Sequence, residues 1–439
     1  MILIGAIEKA LFRPMKMVQN ANHIGHEGLT MIIDHQPPVV QAFFSLFRRS
    51  LTKPQFHHLW TLILAWVVHP GRRTVLNLAT HIPQYGHRTS LGRFLTTAPW
   101  DGPALMDQQV QRLLASMKPR RGETIHLLID DSRIAKRGRQ MYAVGPIWVP
   151  TRGAFTYGHQ VVTAAILFRG IVLPWRFDLW VPKKWAGRNY RKSTQIAAAF
   201  IEAFTPPRGL KVHVLFDAFY LTPVVVRACE NRGFSWFSVA SKNRVLSRAR
   251  QHQRRRIIDL VAGLLRHQGR SIRMKRDRGV ARFRIAMVDG RLKGIGPVRM
   301  VVRKRPGAAM ATATAIVTNQ RCLDPRTIVL IYERRWRIEM LFKELRSDLG
   351  LGEYQVISRE GILHHLHLCG LVHLMLTHHS MDAVGAQARK VNREVTLPPM
   401  RRRLESLREL IRADQIRRLL RHETNTRQRK RLERYLLAA

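Results

Sequence analysis

The spacing of apolar residues changes character several times along this chain, and each change marks a different kind of segment. Residues from about 35 to 115 follow helical spacing, with helices expected at Val39–Phe47, Gln55–Val68, Arg73–Thr80, Ser90–Leu95 and Asp101–Met117. Between Thr74 and Phe94 two short helical patterns meet around Pro83 and Gly86 and carry Arg88 and Arg93. That stretch has two readings, a helix-turn-helix against DNA or a helical packing module. At Glu123 the pattern shortens. Thr124–Ile129 is an apolar run ending in Asp130-Asp131, which suits a buried strand, and Gly145–Pro150, Gln160–Phe168 and Gly170–Phe177 follow as strands with Gly and Pro punctuation. Next come a helix at Thr194–Phe204, a strand at Val212–Phe216 closing on Asp217, a helix at Thr222–Arg232 and a strand at Ser235–Val239. Strands followed by helix, strand, helix and strand predict a mixed α/β sheet.

Residues 244–318 differ again. They hold β-like runs at Val280–Val288, Val298–Lys304 and Ala311–Thr318, separated by turns expected at Asp289-Gly290 and Pro306-Gly307. One helix is expected from Pro325 to Asp348, stopped by Gly350 and Gly352, and another over Gly361–His378. The tail from Arg389 is basic and reads as helical. The boundaries so drawn are a helical N-terminal module at 1–118, expected to bind DNA, and a first part of a core at 119–243. A β-rich insertion at 244–318, the rest of the core at 319–385 and a basic helical tail at 386–439 complete them.

Charge narrows the partners. The 439 residues carry 75 Lys and Arg against 29 Asp and Glu, a net charge of +46 with a pI near 11.7. Those cations are spread along the chain, as expected for a protein that neutralises many phosphates. A hydrophobic content of 46% allows a large core. Cys229, Cys322 and Cys369 stand far apart without a CxxC pair, against a disulfide framework or a structural zinc. The strongly apolar run Leu59–Val68 is about half of a membrane span, and the N-terminus lacks a signal-peptide pattern, so a cytoplasmic, nucleoid-associated protein without membrane contact is expected.

Against so few acids, the placement of three matters. Asp130 and Asp217 each follow an apolar strand pattern (IHLLI and VHVLF), and strand ends are where α/β sheets expose functional groups. Tyr332, Arg335, Glu339, Phe342 and Arg346 fall within about an 80° stripe of one helix, presenting a carboxylate among cations. Trp336, Ile338, Leu341 and Leu345 are expected to seat that helix. Three carboxylates from separate elements suit two magnesium ions about 4 Å apart, which activate a nucleophile and stabilise a leaving oxygen. The plainer reading makes the aspartates capping residues and Glu339 part of a solvated, salt-bridged face.

In combination these segments resemble the bacterial insertion-sequence transposases that carry a DDE triad on an RNase H-like core. The matching pieces are IDDS (129–132), VLFDAFY (214–220), VASKNR (239–244), AIVTN (315–319) and YERRWRIEMLFKELRSDLGL (332–351). The last resembles that group's helix of Tyr, Arg, Glu and Lys, with Tyr332, Arg335 and Glu339 in register and Arg346 at the Lys position. The resemblance implies an RNase H-like core with a β-rich insertion, and Asp130, Asp217 and Glu339 as catalytic ligands of two Mg2+ ions, with Mn2+ able to substitute. It favours Asp130 over Asp131, Ser132 taking a Thr place, although a one-residue slip would present Asp131 on the other face. It further implies cut-and-paste cleavage at element ends and strand transfer into target DNA by a homodimer on double-stranded DNA. Tyr332, Arg335, Arg346, Lys242 and Arg244 would contact the DNA. The competing readings are a nuclease of the same fold that cuts without joining, and a non-enzymatic basic DNA-binding protein.

Two further clusters carry residue types suited to ligand binding. His364, His365, His367, His373, His378 and His379 lack acidic or Cys partners at ligand spacing and are expected as polar positions on a packed helix. Trp175, Trp180, Trp185 and Tyr190, interleaved with Lys183, Lys184, Arg188, Arg191 and Lys192, suit either base stacking or a core beside a basic loop.

Overall fold

A computed structural model of the chain describes residues 37–69, 71–80, 88–149, 153–247, 254–276, 279–390 and 394–422. The expected turn around Pro83 and Gly86, and the tail beyond His422, lie outside them. Helices α1 (Pro38–Ser45), α2 (Lys53–Val68), α3 (Val75–Thr80), α4 (Arg88–Thr96) and α5 (Gly102–Ser116) open the described chain. Thr52 starts α2 with a capping box, its hydroxyl accepting from the Gln55 N–H while the Gln55 side chain accepts from the Thr52 N–H. Residues Leu59 to Val67 of α2 are all buried, and Trp66 donates its indole N–H to the Leu349 carbonyl at 2.8 Å.

A twelve-stranded sheet runs through the molecule. At its heart β1 (Thr124–Ala135) pairs antiparallel with β3 (Ala154–Phe168) and parallel with β5 (Lys211–Phe216), which pairs parallel with β6 (Ser235–Ala240). The far edge of β3 is shared by β2 (Gly145–Val149) at its outer end and β4 (Ile171–Trp180) along the rest. Ile125 to Ile129 are buried, alternate side chains on opposite faces, as expected of a central strand covered on both sides. The covering helices are α6 (Ser193–Ala203), packed on β3 and β4, and α7 (Pro223–Asn231), packed on α6 and β6. The strand order β4-β3-β1-β5-β6, flanked by helices, is an RNase H-like core.

Beyond β6 the sheet continues without a break. β12 (Thr314–Thr318) pairs antiparallel with β6, and β11 (Gly296–Lys304), β10 (Gly279–Leu292), β7 (Val245–Ser247) and β8 (Arg254–Arg256) follow in order, with β9 (Arg270–Arg276) on β10. The expected turn at Asp289-Gly290 is instead part of β10, because Asp289 stands opposite Arg299 and accepts two of its guanidinium hydrogen bonds at 2.8 Å. Helix α8 (Ile257–Gln268) and β9 were not anticipated.

The helix expected from Pro325 to Asp348 is broken. It forms α9 (Pro325–Glu333), a tight step at Arg334-Arg335, α10 (Trp336–Lys343) and a π turn at Glu344–Asp348. At the step the Arg337 N–H bonds to the Arg334 carbonyl and the Ile338 N–H to the Arg335 carbonyl, both at 3.0 Å, the shorter spacing of a 3₁₀ turn. Gly350, at φ +70°, ends the segment. Helix α11 (Arg359–Ala388) packs on β4, α4 and α5, and α12 (Met400–His422) packs on α11 and α2. Among the described residues no helix is long and apolar enough to cross a membrane.

Candidate active site

Asp130 lies inside β1 instead of at its end, since β1 stays paired with β3 through Ala135. On its other edge, however, the parallel pairing with β5 stops at Leu128–Leu215, so Asp130 stands just beyond it. Asp217 follows the last residue of β5, its carboxylate accepting from the N–H groups of Phe219 at 3.0 Å and Tyr220 at 3.3 Å. Two carboxylates therefore meet at the carboxyl ends of paired parallel strands, where a sheet of this kind opens its crevice.

Their proximity has an electrostatic signature. Burial and the neighbouring charge of Asp217 push the Asp130 carboxyl up to about 7, against the opposing pull of Arg335. Arg335, at the step between α9 and α10, donates from one guanidinium nitrogen to Asp130 at 2.8 Å and from the other to Glu339. That guanidinium links the third carboxylate, one turn along α10, to the first. Arg346 in the π turn lies within the field of Asp130 and stacks on Phe342 at 5.6 Å. Tyr332 is buried, and burial pushes its hydroxyl up to about 12.

Asp131 takes the opposite side of the strand. It pairs with Arg133 at 3.3 Å and faces Gln160 and the buried Tyr220, and burial raises its carboxyl. Of the side chains expected to seat α10, Ile338, Leu341 and Leu345 are buried but Trp336 is 59% exposed. Lys242 and Arg244 both donate to main-chain carbonyls, of Ala311 and Leu221 respectively. Phe219, 52% exposed beside Asp217, was not singled out in the sequence, though it lies within the VLFDAFY segment.

Three of the histidines of α11 tie neighbouring segments together. His364 bonds to the carbonyls of Leu95 and Trp100, His365 to that of Gly350, and His373 to Glu344. Trp175 is buried with its indole N–H on Asp107, so it belongs to the core, whereas Trp185 is 42% exposed.

Among the described residues no three His, Cys, Asp or Glu side chains stand close enough together to share a metal ion. The donor chemistry nevertheless suits a hard divalent cation. Asp130 and Asp217 repel each other in a buried setting, and a divalent cation offsets such repulsion with oxygen ligands alone. Glu339 supplies a third oxygen donor, held on Arg335 in this structure.

Comparison with known proteins agrees with this fold. The family model described as DDE superfamily endonuclease matches residues 46–257, and the one described as transposase DDE domain matches residues 189–375. The chain is 30% identical over 152 residues to a probable transposase for insertion sequence element IS701 from Microchaete diplosiphon. That alignment covers 34% of this chain and 39% of the relative, well short of the relative's full length. The chain therefore carries a DDE domain of the transposase and endonuclease type, the two matches together spanning residues 46–375.

Proposed function

We propose that the protein is an insertion-sequence transposase that cleaves DNA at element ends and joins the resulting 3′-hydroxyl to target DNA by a cut-and-paste route. The observation that carries this reading is the meeting of Asp130 and Asp217 at paired strand ends, with Arg335 tying Asp130 to Glu339. Asp130, Asp217 and Glu339 would hold two Mg2+ ions, with Mn2+ able to substitute, and those ions when bound supply nucleophile activation and leaving-group stabilisation. The protein's own part is to hold the phosphodiester. Arg335 and Arg346 would contact its non-bridging oxygens, and the buried Tyr332 would fix the position of Arg335. If Arg335 turned from Glu339 to a phosphate, the Glu339 carboxylate would be free to take part in holding the cations. Lys242 and Arg244 would reach DNA only by releasing Ala311 and Leu221.

In this reading the helices of residues 1–118 bind DNA, the core spans 119–243 and 319–385, and residues 244–318 and 386–439 are its insertion and basic tail. The protein would act in the cytoplasm as a homodimer on double-stranded element ends and target. The test is a strand-transfer assay with pre-cut element ends, a target plasmid and Mg2+. Joined products support a transposase; nicked ends that never join support a nuclease of the same fold.

A further inference from the structure

Outside the carboxylate site, three large aromatic side chains lie exposed on one hairpin. Trp148 is 46% exposed, Phe155 69% and Tyr157 43%. In the register of β2 and β3, Trp148 stands opposite Phe155 and Pro146 opposite Tyr157, so strand alternation puts all four on one face. Trp148 and Phe155 meet edge to face with centroids 5.2 Å apart, and the Arg139 guanidinium lies 5.4 Å from the Tyr157 ring. Single exposed apolar residues are ordinary, but three aromatic rings on one face mark a contact surface.

Arg139 also lines a neighbouring cleft of about 790 Å³, together with Arg72, Lys136, Arg137, Gln140 and Gln355. Lys136 anchors the floor of that cleft, donating to the carbonyls of Gly352 at 2.7 Å and Tyr354 at 2.8 Å while lying over the Tyr354 ring. The one carboxylate lining it, Glu353, accepts from the Arg73 N–H at 2.6 Å. Among the described residues no carboxylate pairs with Arg137 or Arg139. Between Ser132 and Phe177 the sequence contains no Asp or Glu at all, although it contains Arg133, Lys136, Arg137, Arg139, Arg152, Arg169 and Arg176. Rings beside a cleft in which, among the described residues, Arg137 and Arg139 have no carboxylate partner fit a ligand with planar faces and a chain of negative charges.

We propose that this hairpin face and its cleft form a binding site for an unpaired DNA strand, with bases stacked on Trp148, Phe155 and Tyr157 and phosphates held by Arg137 and Arg139. Stacking of this kind accepts any base, and in duplex DNA the base faces are covered by their neighbours, so the site selects single strands. Tyr157 lies six residues along β3 from Thr163, the partner of Asp130, roughly 20 Å away at about 3.3 Å per residue. The site therefore takes strand leading away from the carboxylates, not the phosphodiester between them. The inference rests on the reading of the chain as a DNA-handling enzyme and adds the form of DNA and its place.

The test uses the full chain and labelled oligodeoxythymidylate, with a duplex of equal length alongside, by fluorescence anisotropy at fixed salt. Trp148→Ala with Phe155→Ala should weaken single-strand binding by roughly tenfold or more and leave duplex binding essentially unchanged. Trp148→Tyr should retain binding, because it keeps a ring. Arg137→Ala with Arg139→Ala should weaken single-strand binding and flatten its salt dependence. Photo-crosslinking of a bromodeoxyuridine oligonucleotide to the wild-type chain, which needs no variant to fold, should map to peptides containing Trp148, Phe155 or Tyr157. Crosslinks confined to other peptides would overturn the proposal. So would unchanged single-strand affinity in the folded alanine variant, or a fall in its mass by light scattering, which would make the face a contact with a second copy. If the wild-type chain binds neither DNA form, the DNA-handling reading itself fails. Duplex binding with single-strand affinity indifferent to these rings removes this site alone.

Discussion

Arg335 divides one guanidinium between two carboxylates, Asp130 in β1 and Glu339 on α10, and that sharing partly offsets the cost of holding two acids close together. Asp130 remains under-compensated, since its carboxyl rises from 3.8 to about 7 through burial and the charge of Asp217. The folded state thus binds more protons than the unfolded chain between those values, and the sign follows: without metal, stability falls as pH rises through that window. Asp130→Asn should remove that fall and be more stable than wild type at pH 8, by on the order of 4 kcal/mol, with the two converging near pH 4. Thermal unfolding in chelator across that range checks this, and a variant that melts lower at pH 8 would count against the electrostatic account. Adding Mg2+ should raise the wild-type midpoint and leave that of Asp130→Asn nearly unmoved.

At the scale of elements, much was legible because apolar spacing and turn residues agree locally. The strand ending near Phe216, the helix after it and the strand at β6 were placed within a residue or so. Other features depend on tertiary partners the pattern does not show. β1 runs on through Asp130, Asp131 and Ser132 because β3 pairs with it there, and no apolar run announces that. Helix α8 follows directly on an arginine-rich stretch, which masked its start. The break at Arg334-Arg335 has no Gly or Pro to signal it, yet it sets the direction of Arg335, so the candidate site's residues were readable while their arrangement was not. The π turn is likewise held by a distant helix, with Glu344 accepting from the buried Arg403 of α12 at 2.9 Å and from His373 at 3.0 Å. Arg403→Ala leaves Glu344 short of its cation and should cost about 2–3 kcal/mol. Hydrogen exchange should then rise over Met400–Ile411 and the π turn. Unchanged protection would mean that apolar packing, through Leu404 and Leu407, is what holds α12 in place.

Across the whole molecule, a net charge of +46 surrounds three candidate ligands that are all acids. On the proposed function this arrangement would separate two tasks: cations dispersed over the chain would gather DNA, and a small acidic centre would act on it. Counterion release then sets affinity, so duplex binding should fall steeply between low and physiological salt, linearly on logarithmic axes. A nearly flat dependence, measured by filter binding or anisotropy, would contradict an electrostatic mode of binding.

The measurement that tests the central claim most directly combines cleavage and binding in one variant. Asp217→Asn keeps the size of the side chain and removes the charge that, beside Asp130, would hold a divalent cation. Purified wild-type and variant chains would be compared on element-end DNA with Mg2+, by product analysis for cleavage and by gel shift for binding. The account predicts that cleavage collapses, by on the order of a thousandfold or more given the kcal/mol that a two-ion centre supplies, while binding survives on the unchanged Lys and Arg residues. Cleavage at the wild-type rate by Asp217→Asn would contradict it.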